Sequence, residues 1–186
     1  ALTPEALAAV DVLVMSGPFR PLSESELAAV TAFLRGGGGL AVMLHIAHPV
    51  RDLLHRLEVD FTNGTLREAN QVIGGNPLNF RVSLLADHPV TNGLDSFSVY
   101  GSWALRGTAA QSRSIAETSK ESYVDQNHDN RKSADDAVQQ FAVMVAGEFG
   151  GGRYVVIGDD AVFQNQFLDD ANRRLGLQML QWLSHR

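Results

Sequence analysis

Asp11-Val-Leu-Val-Met-Ser-Gly-Pro18 is the stretch that decides the fold. Residues 10–15 form a near-continuous apolar run, the pattern of a strand covered on both faces of a parallel sheet. Gly17-Pro18 ends it in a loop. Downstream, Ser23-Glu-Ser-Glu26 sets Ser and Glu three residues apart, a capping box that opens a helix. Leu27, Val30, Phe33 and Leu34 recur at helical spacing on one face of that helix. The glycines at 36–39 stop it, and residues 40–44 supply a second buried strand. Residues 52–57 read as a short helix carrying Leu53, Leu54 and Leu57. This strand–helix–strand–helix rhythm predicts an α/β domain with a doubly wound, mainly parallel sheet and right-handed crossovers.

Further along, the pattern is less regular. Residues 81–85, 97–100 and 112–116 are short strand candidates, and residues 119–136 are polar and read as a long loop. Two strands, at 140–146 and 154–157, flank Gly150-Gly-Gly152 and so predict a hairpin near the C-terminus. Asp169 and Asp170 open a last helix with Leu175, Met179, Leu180 and Leu183 on one face. Nothing repeats internally, so residues 1–186 read as a single domain. Only a short segment precedes the first strong strand, where such folds usually carry another βα unit. The expectation is therefore that a first unit is missing, and that a sheet edge needs cover from an upstream segment of a larger chain, a protein partner or a second copy.

Composition excludes several classes. The chain of 186 residues is 45% hydrophobic and 19% charged, ordinary for a folded domain. Its net charge of -6 leaves no basic stripe to neutralise phosphates, so no nucleic-acid partner is expected. No apolar run is long enough to insert directly into a membrane. With no cysteine, the chain has neither disulfides nor thiol chemistry. A chain without cysteine folds in either redox environment, so the compartment stays open.

Ligands of α/β sheets bind beyond the carboxyl ends of the strands. Ser16 and Gly17 after the first strand, His45 and His48 after the second, and Gly158-Asp159 after the last are the candidates to line such a crevice for a small polar ligand. Each also has a plain structural reading: the histidines as loop or core residues, the aspartate as an Asx cap that orders its own turn. The glycines at 36–39 are a helix stop rather than a phosphate loop, because no Gly-Lys-Ser/Thr follows. Asp125-Gln-Asn-His-Asp-Asn-Arg-Lys-Ser-Ala-Asp-Asp136 fits a calcium loop with Asp125, Asn127, Asp129 and Asp136 as metal ligands. Asn130 replaces the turn glycine and Asp136 the usual glutamate. The competing reading is a solvated Asx-rich turn.

Several of these stretches together carry a resemblance. Residues 2–18 with Gly37-Gly-Gly-Leu40, then Asp125-Gln-Asn, Gly151-Gly-Arg-Tyr-Val-Val-Ile-Gly-Asp159 and Gln181-Trp-Leu183, resemble the class I glutamine amidotransferase-like superfamily. They are most similar to its domains in bacterial envelope and transporter-associated proteins. His88-Pro-Val-Thr-Asn-Gly-Leu94 is similar to the trehalose-utilisation-type branch, and intraflagellar-transport proteins carry a related domain used as a scaffold. The resemblance implies a flavodoxin-like three-layer sandwich. It implies no activity, because the catalytic cysteine of the amidotransferases has no counterpart, and His45-Ile-Ala-His48 stands where their nucleophile turn lies. The expectation is a non-catalytic binding or scaffold domain that requires no cofactor. The alternative is a hydrolase with another nucleophile or a metal-bound water.

Overall fold

The computed structural model describes residues 1–45 and 48–184. Ile46 and Ala47, part of the His45-Ile-Ala-His48 stretch, lie outside the described residues, as do His185 and Arg186. The chain starts with a short helix α1 (Pro4–Leu7), capped by the Thr3 hydroxyl. Strand β1 (Val12–Ser16) follows, then α2 (Glu24–Arg35) and β2 (Gly39–Met43). The capping box forms: the Ser23 hydroxyl accepts from the Glu26 N–H at 3.2 Å, and the Ser23 N–H donates to the Glu26 carboxylate at 3.0 Å. A 3-10 turn at His48–Val50 leads into α3 (Arg51–Arg56).

Strands then dominate: β3 (Val59–Arg67), β4 (Val72–Ile73), β5 (Asn76–Val82), β6 (Leu84–Leu85), β7 (Phe97–Tyr100), β8 (Trp103–Gly107) and β9 (Ser112–Glu117). They are followed by β10 (Tyr123–Asp125), β11 (Ala137–Val138), β12 (Ala142–Phe149) and β13 (Gly152–Ile157), and the chain closes with helix α4 (Asp170–Leu183).

The main sheet runs β1-β2-β13-β12-β8-β3-β10-β11, with β9 beside β12 and β6 beside β9. It is a mixed sheet. β1, β2 and β13 are parallel, with Met15 opposite Val42 and Val42 opposite Val156. From β12 onward the pairings are antiparallel. The expected mainly parallel sheet is thus confined to one end. Antiparallel neighbours need only tight turns, and the chain after α3 supplies turns in place of crossover helices. The expected terminal hairpin is β12–β13, with Met144 opposite Ile157.

Helices cover both faces of the parallel end. Period-two alternation sends Leu40, Val42, Tyr154 and Val156 to the face packed by α2 and α3. It sends Ala41, Met43, Val155 and Ile157 to the face packed by α4. That second face also receives Phe80 and Val82 of β5 and Phe97 and Val99 of β7, which with β4 form a separate antiparallel sheet. Leu27, Val30 and Leu34 of α2 are fully buried, each contributing about 1.5–3 kcal/mol of hydrophobic stabilisation. β1 is the edge strand at this end of the sheet. Val14 lies on it 46% exposed.

Candidate functional site

Three strands deliver residues to one place. β1 runs into Gly17, whose N–H donates to the Met43 carbonyl at 3.0 Å and so stays tied to the end of β2. Gly17 has φ +50°, and a Cβ there would stand 2.5 Å from Asp160 Oδ2 and 3.2 Å from His45 Cβ. Only glycine meets both demands. His45, just past β2, places Nδ1 3.2 Å from Asp160 Oδ1. Asp160 comes from the loop after β13. The His45 side chain is 54% exposed and the Asp160 side chain 17% exposed, so the pair sits on an open shelf at the carboxyl ends of the parallel strands.

Aromatic rings surround the shelf. Phe19, 78% exposed, meets the His45 ring edge-on at 5.7 Å. The Trp103 indole N–H donates to the His45 carbonyl at 3.1 Å, and Phe61 packs edge-on against Trp103 at 6.4 Å. Ser16 is exposed at the end of β1, next to Gly17.

Not every candidate reaches this shelf. Asp159 is 1% exposed and turns inward. Its two oxygens accept from the Tyr100 N–H at 2.6 Å and the Ala161 N–H at 2.7 Å. Burial raises its pKa from 3.8 to about 6, against the two N–H donors, which favour the anion. Gly158 serves the backbone: it donates to the Val143 carbonyl and accepts from the Trp103 N–H at 2.8 Å, with no room for a side chain. His48 lies in a different neighbourhood. Its Nδ1 is 2.7 Å from Arg51 Nη2, and its ring meets Phe61 edge-on at 6.1 Å.

Sequence reading saw the carboxylate doublet at 159–160 but did not choose Asp160, Phe19, Trp103 or Phe61 for the site. A signal existed for the first. Two aspartates follow β13 side by side, and once the Tyr100 and Ala161 N–H groups hold Asp159 inward, the second of the doublet is the one left to face elsewhere. Trp103 and Phe61 come from β8 and β3, which pair with each other, and no local pattern brings them to the shelf.

The polar loop is stitched by its own side chains. Asp125, at the end of β10, is buried, and its Oδ2 accepts from Arg67 Nε and from the Asn130 N–H, both at 3.1 Å. Arg67 also donates to Asn130 Oδ1 at 2.6 Å. Asn127 Oδ1 accepts from the Asp129 N–H, and Asp129 Oδ1 from the Arg131 N–H. Asp136 accepts from the Ser133 and Gln126 N–H groups, which hold its carboxyl below the usual range. Asn130 takes φ +64°, the left-handed turn that the loop needs. Among the described residues no group of three or more His, Cys, Asp or Glu is placed to hold a metal ion.

Fold and shelf together define a mixed-sheet α/β domain whose concentrated chemistry is a His–Asp pair at the parallel strand ends. The chain belongs to the family described as a domain of unknown function, DUF4350, whose model matches residues 3–180. No curated protein sequence matches it. Among solved structures, the N-terminal domain of mmIFT52 is similar, with a TM-score of 0.76 and 17% identity over 99% of this chain and 81% of that one. A ThuA-like protein from Bacteroides uniformis has a TM-score of 0.63 and 16% identity, covering 98% and 72%. A cytoplasmic protein of Salmonella typhimurium has a TM-score of 0.59 and 14% identity, covering 98% and 75%. These are likenesses of fold. The first two are the kinds of relative that the sequence resembles. Among the described residues no helix is long and apolar enough to cross a membrane.

Proposed function

We propose that this domain is a non-catalytic member of the class I glutamine amidotransferase-like superfamily, a flavodoxin-like sandwich that binds a small polar ligand, or a polar group of a protein partner, at the shelf. One observation carries the reading: Gly17, His45 and Asp160 converge from the ends of three adjacent parallel strands. The helices on both faces of that end support the superfamily assignment. The missing cysteine removes the thiolate chemistry of the amidotransferases and leaves the pocket position. On the shelf, the carboxylate accepts hydrogen bonds, the imidazole provides one further nitrogen, and Phe19 covers an apolar face of the ligand.

A second reading, hydrolysis by an activated water, is favoured by the His45–Asp160 contact alone. A carboxylate at Nδ1 orients an imidazole for general-base work at Nε2. One experiment separates the two. Small polar compounds (neutral sugars, amino acids and amides) are screened by thermal shift against wild type, His45→Ala and Asp160→Ala. A binding module gains about 2.7 kcal/mol at a hundredfold excess over Kd and loses that gain in both variants. Turnover of a chromogenic ester that disappears in His45→Ala, with the fold intact, establishes the hydrolase. A ligand that stabilises all three proteins equally removes the shelf from the argument.

A further inference from the structure

A second concavity, of about 540 Å³, lies between α3 and β3 and is lined by His48, Arg51, His55, Phe61 and Asn63. Its chemistry is the reverse of the shelf's. One carboxylate, Asp60, also lines it, and is already engaged by Arg106 at 2.7 Å. On the same side of the molecule Arg56 is held by Glu24 at 3.0 Å. Arg51, by contrast, makes no ion pair with a carboxylate among the described residues. It is fixed instead by uncharged neighbours. Its guanidinium lies 6.0 Å from the Phe61 ring centroid and 2.7 Å from His48 Nδ1.

The His48 contact fixes a proton. Guanidinium groups only donate, so His48 Nδ1 accepts, and the imidazole carries its proton on Nε2. His48 is therefore an N–H donor there, beside the remaining N–H groups of Arg51. Asn63 adds an amide and His55 a second imidazole to the lining. The wall thus holds the positive charge of Arg51 and several donors, beside one carboxylate that Arg106 offsets, within a chain of net charge -6.

We propose that this concavity is an oxyanion-binding subsite, taking a phosphate or carboxylate group, with Arg51 as its anchor. The planar guanidinium matches the paired oxygens of either group, and the contacts to Phe61 and His48 hold that plane before the ligand arrives. Phe61 packs on Trp103, which in turn donates to the His45 carbonyl, so the subsite and the shelf lie along one aromatic row. The subsite does not depend on the shelf binding anything.

Isothermal titration calorimetry with inorganic phosphate, and separately with acetate, tests it on the whole chain. Wild type is expected to bind at least one of the two anions saturably, and the tighter of the two names the source. Arg51→Gln is expected to weaken that binding about tenfold or more, the worth of a charge-assisted hydrogen bond. Arg51→Lys, which keeps the charge and loses the fork, is expected to fall between them and gives a second variant should Arg51→Gln not fold. Arg56→Gln, whose guanidinium is already held by Glu24, is expected to bind as wild type does. Absence of saturable binding of both anions by wild type overturns the proposal, and so does equal binding by Arg51→Gln. Neither result touches the shelf, whose own test uses His45 and Asp160.

Discussion

At Asp159, burial and hydrogen bonding pull the carboxyl in opposite directions, and burial wins. The two backbone N–H donors stabilise the anion, but its desolvation costs more, so the folded pKa rises from 3.8 to about 6. In the folded state the proton is therefore held in a pH range where the unfolded chain has released it. The stability from this group is fully present below pH 3.8 and is lost as pH rises through about 6. The shift corresponds to about 3 kcal/mol. Urea unfolding of wild type and Asp159→Asn across this range should show the wild type losing ground to the variant by about that amount as pH rises. A constant difference from acid to neutral pH would mean that Asp159 keeps an ordinary pKa. The sequence shows the Asp159-Asp160 doublet, but the division of labour within it is set past the strand end, by the partners on either side. β13 directs Asp159 under β7, where the Tyr100 N–H waits, and leaves Asp160 to His45.

The polar loop between β10 and β11 shows how one element can satisfy two readings of the same residues. Spacing alone fits Asp125, Asn127, Asp129 and Asp136 to a calcium loop, because a cation and a turn ask for similar clusters of oxygen. What the spacing does not show is Arg67, 58 positions away in sequence from Asp125, whose guanidinium takes Asp125 Oδ2 at 3.1 Å. No local pattern contains that contact. Both side chains are almost fully buried, so breaking the pair strands a charge. Asp125→Ala or Arg67→Ala is therefore expected to cost about 3–5 kcal/mol in urea denaturation. The double replacement Arg67→Met with Asp125→Leu should cost much less than the two single changes added together. Additive costs would mean that the two charges do not act as a pair. Because the loop's backbone N–H groups already occupy the other carboxylates, calcium and chelator are expected to leave Tm unchanged. A calcium-specific rise in wild type that Asp129→Ala abolishes would establish the cation reading.

Across the whole molecule, legibility follows the number of covered faces. β1, β2, the first long helix, the β12–β13 hairpin and α4 are readable because burial on both faces or on a helical stripe leaves long, regular apolar patterns. The extension through β8, β3, β10 and β11 is not, because β3, though nine residues long, is buried without a regular period, β10 and β11 have three and two residues, and the pairings span long separations, as Leu66 opposite Val124 shows. The same gradient should govern local stability. All five residues of β2 are buried, and its neighbour β13 is buried from Tyr154 to Ile157. β11 has two residues at the far edge of the sheet, with Val138 exposed. Opening β11 and the polar loop exposes little apolar surface, whereas opening β2 requires both helical layers to leave. Native-state hydrogen exchange should therefore find the slowest amides at Ala41, Val42, Val155 and Val156, exchanging only through global unfolding. The β11 amides and residues 126–136 should exchange orders of magnitude faster, through local opening. Equal protection at Val138 and Val42 would show that the sheet opens as one unit. The antiparallel extension would then be part of the core that holds the parallel strand ends, and with them the shelf, in place.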